Sequence, residues 1–221
     1  ARERIIDIAS TQFPDGSAYH QYQPLTKQGN LDVGSGFNDD PLWLIAAVAA
    51  YIKETGDYGI LEEQVPFDCK KGSAVPLFEH LDKSFHYTVT HLGPHKLPLI
   101  GRADWNDCLR LGKDGESTFV ALQFYYAMTI LKEFAKYKKD EKYIKYLEEK
   151  QEQLGKLIQE LCWNEDRFIR GFTERGEVIG KRTDPEANMW LNPQSWAVIS
   201  GLATERQADL ALQMVYERLN T

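Results

Sequence analysis

Two aspartates stand three apart around a tryptophan in Asp104-Trp105-Asn106-Asp107, inside the stretch "LPLIGRADWNDCLRLG". A carboxylic acid beside an aromatic ring suits the cleavage of a glycosidic bond. The acid protonates the leaving oxygen, and the ring covers the apolar face of a pyranose. An aspartate ordinarily loses its proton at about pH 4. A general acid therefore needs burial, a neighbouring carboxylate or a bound anion to keep it. Trp105 and the Asp104–Asp107 pair offer the first two, since residues three apart share a helix face. The same spacing also describes a plain helix start, with Asp104 as N-cap and Asp107 in place of the capping-box glutamate. A helix N-terminus favours the anion, so a catalytic Asp107 there needs a further source of negative charge. Spacing alone leaves both readings open.

Other polar and aromatic residues sit together in loops, in "SAYHQYQP" and "NMWLNPQSW". Tyr19, His20 and Tyr22 are candidates to border a sugar or phosphate pocket; loop packing explains them equally well. Trp190, Asn192 and Gln194 are candidates for the acceptor side of such a site. Asp39 and Asp40 precede an apolar run and read as a helix cap. Cys108, beside the acid pair, reads as a packed thiol, because no His or Lys pattern accompanies it.

The elements that must hold these residues are mostly helical. Periodicity and caps predict helices over 3–11, from Asp39 or Asp40 to Gly56, from Pro76 to about His91, over Thr118–Lys138 and Glu141–Cys162, from about Pro193, and over Glu205–Leu219. Residues 12–40 hold no sustained period, and so long a loop is usually functional. Residues 167–180 alternate and turn at Arg175-Gly176, which predicts a small β-hairpin among the helices. The expected class is mostly α.

Composition narrows the function. The formal net charge is −7, against a nucleic-acid or anionic-membrane partner. The three cysteines, Cys69, Cys108 and Cys162, form no close pair, which fits a reducing compartment. No metal-ligand spacing occurs. The opening Ala-Arg-Glu-Arg-Ile-Ile has no apolar signal core, and the apolar run Leu42–Ile52 is too short to span a bilayer. A cytoplasmic protein without membrane contact is the expectation.

Four stretches carry a resemblance: "ARERIIDIASTQFPDGSAYHQYQPLTKQGN", "GSGFNDDPLWLIAAVAAYIKETGD", "GPHKLPLIGRADWNDCLRL" and "NPQSWAVISG". Together they resemble cellobiose phosphorylase and its relatives in glycoside hydrolase family 94, the inverting disaccharide phosphorylases. The resemblance implies an (α/α)6-barrel catalytic domain, of which residues 1–221 would be a part with a small β-hairpin insertion. It implies phosphorolysis of cellobiose, or of chitobiose or another β-glucoside, to an α-sugar 1-phosphate. Asp107 falls on the family's general acid and Trp105 on the subsite for the transferred sugar, with Asp104, Tyr19, His20 and Gln194 as further candidate substrate contacts. Phosphate is the nucleophile and co-substrate, so no general base, cofactor or metal is expected. Phosphate would also supply the missing negative charge beside Asp107. Family members are several times longer, with an N-terminal β-sandwich and a linker, and the full-length enzyme is expected to be a homodimer. Their glucosyl-subsite Arg and Asp would lie before Ala1, and their phosphate-binding His and Thr-Gly after Thr221. "LRLGKDGEST" is shorter than the corresponding loop of relatives. Two other functions compete: an inverting hydrolase, which needs a second carboxylate roughly 6.5–9.5 Å from Asp107, and a non-catalytic helical scaffold that binds sugar or a partner.

Overall fold

Apolar periodicity does most of the work in this chain, and the helices fall close to where it places them. The computed structural model describes residues 1–220. It divides into two units, Ala1–Thr90 and a second that begins at His91.

In the first unit, α1 (Arg2–Thr11), α2 (Asp40–Thr55) and α3 (Leu77–Thr90) pack on one another. In α2, Leu42, Ile45, Val48, Ala49 and Ile52 are all buried, and Pro41 lies in the first turn. Gly56 ends the helix in the left-handed conformation, φ 69°, its N–H bonded to the Ile52 carbonyl. Asp39 is the N-cap residue, but its side chain does not cap the helix. It accepts a hydrogen bond from Trp43 Nε1 at 3.1 Å instead. Pro76 belongs to a short strand rather than to α3. The long loop before α2 contains a two-residue hairpin, β1 (Tyr22–Gln23) with β2 (Gln28–Gly29). A second pair, β3 (Gln64–Val65) with β4 (Val75–Pro76), follows a 3₁₀ turn at Tyr58–Glu62 and leads into α3.

His80 of α3 is fully buried. Its Nδ1 lies 2.7 Å from Gln12 Oε1 and its Nε2 3.0 Å from the Val65 carbonyl oxygen, and the ring stacks on Phe67. Burial pushes the imidazole pKa down, against a smaller upward pull from the Val65 carbonyl. The unfolded chain therefore takes up a proton that the folded one resists, and stability falls as pH drops below about 6.5. We expect His80→Gln to lose this dependence. Between pH 7.5 and 5.5, the urea midpoint of the parent should fall further than that of the variant, by an amount worth up to about 1.4 kcal/mol. Parallel curves would remove His80 from the pH response.

The second unit is built on α4 (Thr118–Lys138) and α5 (Glu141–Cys162), which pack along each other. Leu122, Met128 and Leu131 of α4 are buried, as are Leu147, Leu154 and Ile158 of α5. Gln151, facing α4, donates to the Tyr125 carbonyl oxygen and to Thr129 Oγ1. Asp140 caps α5 and Ser117 caps α4. After α5, β6 (Trp163–Asn164) pairs with β7 (Arg167–Phe168). The three-stranded sheet has the order β5 (Glu116–Ser117), β8 (Gly171–Phe172), β9 (Val178–Ile179), all antiparallel. The expected hairpin is thus shorter than 167–180: Arg167 and Phe168 pair backwards with β6, and only 171–179 forms the hairpin, turning through Arg175-Gly176. The chain closes with α6 (Leu191–Ile199) and α7 (Glu205–Leu219), the latter entered through a Thr204–Gln207 capping box.

The architecture is mostly helical, with seven α-helices and nine two-residue strands among the described residues. No helix among these residues is long and apolar enough to cross a membrane.

Candidate active site

The segment before β5 runs beside it and is locked to it. Ile100 N–H donates to the Gly115 carbonyl oxygen at 2.8 Å, and Ser117 N–H donates to the Pro98 carbonyl oxygen at 3.1 Å. This register brings the Asp104–Asp107 loop against Ser117. The loop is not helical, so the capping-box reading of Asp104 and Asp107 is overturned, and with it the placement of both on one helix face. Burial alternates along the loop instead. Asp104 is fully buried, Trp105 is 61% exposed, Asn106 is half-buried and Asp107 is exposed.

The inward partner is Arg170, itself fully buried. Its Nη2 donates to both Asp104 carboxylate oxygens, at 2.5 and 2.7 Å, and to Asn106 Oδ1 at 3.2 Å. Its Nη1 donates to Ser117 Oγ at 3.1 Å, and that hydroxyl donates to Asp104 Oδ2 at 2.6 Å. Asn106 N–H closes the ring on Asp104 Oδ1. The Arg170 backbone is held on both sides, by the Ile179 carbonyl and by the Thr118 N–H. Its guanidinium carbon lies 5.5 Å from the centre of the Trp190 ring. Gly180 makes room for this arrangement. Its φ is +88°, and a Cβ there would fall 2.8 Å from the Arg170 nitrogen.

A second buried carboxylate occupies the other face of the same strand, because side chains alternate along β5. Glu116 is 1% exposed. It accepts the N–H groups of His95 and Leu97 and a bond from the His95 ring, which also packs on Phe172. Neither Glu116 nor Arg170 stands out in the sequence. The one available signal was an arginine set among the apolar residues of "FIRGF", where a buried charge demands a partner.

Other candidates fall as follows. Gln194 is fully buried. Its oxygen accepts from Phe168 N–H, and its amide donates to the Phe168 and Trp190 carbonyl oxygens. Trp190 Nε1 is bonded to the Ala187 carbonyl oxygen. Cys108 is exposed, not packed; Cys162 is the buried thiol, its pKa pushed up to about 12 by burial. In the first unit, Tyr19 and His20 line a cavity of about 290 Å³ with Tyr22, Trp43 and Ile5. His20 Nδ1 lies 3.1 Å from Asp40 Oδ2, and its ring stacks on Phe37. The Tyr19 ring lies over Gly29, where a Cβ would fall 2.0 Å from it.

Comparison with known proteins bears on what such a loop is for. A family model described as "Glycosyl hydrolase 94 superfamily, catalytic domain" matches residues 1–221. Solabiose phosphorylase from Paenibacillus borealis is 32% identical over 225 residues, covering 100% of this chain and 28% of that protein. N,N'-diacetylchitobiose phosphorylase from Vibrio furnissii is 29% identical over 246 residues, covering 99% of this chain and 30% of that protein. The chain therefore spans under a third of the length of these relatives. Among solved structures, a rhamnosidase from Klebsiella oxytoca with rhamnose bound superposes with a TM-score of 0.67 at 13% identity, covering 98% of this chain and 37% of that one. At that identity the likeness is one of fold. The match across the whole sequence, with the Asp-Trp-Asn-Asp loop inside it, places this chain in glycoside hydrolase family 94.

Proposed function

We propose that the protein containing these 221 residues is an inverting phosphorylase of a β-linked disaccharide, with Asp107 as general acid. The observation that carries this reading is the loop's two-sidedness. Asp104 and Asn106 are tied inward to Arg170, while Trp105 and Asp107 stand outward, an aromatic ring beside a carboxyl group. Relatives over the same span are named as disaccharide phosphorylases.

In the proposed reaction, Asp107 gives its proton to the glycosidic oxygen as the bond to the anomeric carbon breaks. A phosphate oxygen attacks that carbon from the opposite face, giving the inverted sugar 1-phosphate and the free second sugar. Trp105 packs against the transferred sugar. Tyr19 and His20 remain candidates for further sugar or phosphate contacts. Asp104 and Gln194 act through what they hold: Asp104 through Arg170 and Ser117, Gln194 through the backbone of Phe168. The commitment of Asp104 to Arg170 also speaks against its use as a hydrolytic base. Cellobiose is the leading substrate and chitobiose the alternative.

We place the chain within an (α/α)6 barrel. Leu212, Tyr216 and Leu219 support this: they form an exposed apolar stripe along α7, as a helix awaiting a neighbour would carry.

The test is to assay the complete protein on cellobiose, N,N'-diacetylchitobiose and solabiose with and without inorganic phosphate, following sugar 1-phosphate by NMR. We expect the α-anomer of the 1-phosphate and no turnover without phosphate. Equal release of free sugar in the absence of phosphate would identify a hydrolase instead.

A further inference from the structure

We infer that Arg170 is a positioning residue for the acid, fixing where Asp107 stands by clamping the two residues that alternate with the outward pair. The inference rests on the proposed role of Asp107. One guanidinium nitrogen, Nη2, reaches Asp104 on one side of Trp105 and Asn106 on the other. Asn106 is bonded in turn to Asp104 through its backbone N–H, and its carbonyl oxygen receives the Leu109 N–H at 2.8 Å. That last bond closes a turn containing Asp107. The acid itself is exposed, and its backbone lies inside the turn that this bond closes.

Arg170 is suited to the task because its own place is fixed. Its backbone bonds on both sides to strand and helix, its side chain is fully buried, and its fork sets Nη1 on Ser117 while Nη2 meets Asp104 and Asn106. A lysine keeps the charge but is a single point on a flexible stem. It can neutralise Asp104 without fixing Asn106 and Ser117 in one rigid plane. Misplacement of a catalytic group by about 1 Å is enough to cost ~100-fold in rate.

A donor whose leaving group needs no proton separates positioning of the acid from general damage. On a β-glycosyl fluoride of the donor sugar, phosphate displaces fluoride directly. The C–F bond breaks, the C–O bond to phosphate forms, and fluoride departs without a proton. In the complete protein, Arg170→Lys is expected to lose about 10–100-fold in kcat on the disaccharide with KM little changed, and to regain near-parental turnover on the fluoride. Asn106→Ala, at a half-buried position without a buried charge, should show the same pattern with a smaller loss. It serves in place of Arg170→Lys if the lysine variant does not fold. Equal losses on both donors, or no loss on the disaccharide, would overturn the inference. Asp107→Asn is run alongside. If the fluoride does not rescue it, the acid assignment falls and the inference with it. If the fluoride rescues it but rescues neither Arg170→Lys nor Asn106→Ala, only the positioning role falls.

Discussion

Asp107→Asn is expected to slow phosphorolysis of the disaccharide by at least ~100-fold, the usual scale for loss of a general acid. The amide keeps the shape of the side chain and most of its hydrogen bonding, but has no acidic proton to give. Asp107 is exposed, while the buried bonds of Arg170 go to Asp104, Asn106 and Ser117, so the variant should melt within a few degrees of the parent. A chemical defect then stands apart from a folding defect. The effect belongs in kcat, since proton transfer to the leaving oxygen develops in the transition state and not in the bound ground state. Steady-state kinetics on the purified complete protein, with sugar 1-phosphate as the product measured, provide the check. Parental turnover would remove Asp107 from the mechanism and leave a scaffold or binding role for this loop.

The second large effect is on stability. Arg170 and Asp104 are both fully buried, and each neutralises the other. Removing one partner leaves a charge in the interior without its counterion, which typically costs 3–5 kcal/mol. Arg170→Met and Asp104→Leu should each lose about that much in urea or thermal unfolding. The double variant should lose much less than the sum, because it removes both charges together and leaves apolar groups in their place. Additive losses in the cycle would mean that the pair contributes little as a pair, and that packing alone accounts for each residue.

The two aspartates also show where a sequence stops being informative. The limits of α4, α5 and α7 were legible because local signals agree with tertiary ones. Asp140 and the Thr204–Gln207 box sit at helix starts, and the apolar positions behind them recur at helical spacing. Asp104-Trp105-Asn106-Asp107 carries an equally good local signal for a helix start, and it forms none. The partner that decides the matter, Arg170, lies 66 residues further along the chain. A buried ion pair in which one guanidinium nitrogen reaches both carboxylate oxygens outweighs a capping preference worth about 1 kcal/mol. The same limit explains the hairpin. Alternation in 167–180 gives the strand type, but it cannot say that Arg167 and Phe168 pair with the strand before them. Asp39 likewise stands at the cap position while its carboxylate serves Trp43. The roles given to Asp107 and Trp105 came from resemblance to a family and not from spacing, which left the acid and the helix start undecided.

β5 is two residues long, yet it separates two buried carboxylates, Glu116's on one side and Asp104's on the other. A slip of one residue in its pairing would exchange the faces. It would turn Glu116 toward Arg170 and carry Ser117 to the side of His95. The loop from Cys108 to Gly115 is anchored as well: Leu109 N–H donates to the Asn106 carbonyl oxygen, and the Leu111 carbonyl oxygen and Lys113 N–H both bond to Glu174. An insertion beside the acid must therefore leave Leu109, Leu111, Gly115 and Ser117 on their partners, or it shifts the register that keeps the two carboxylates apart.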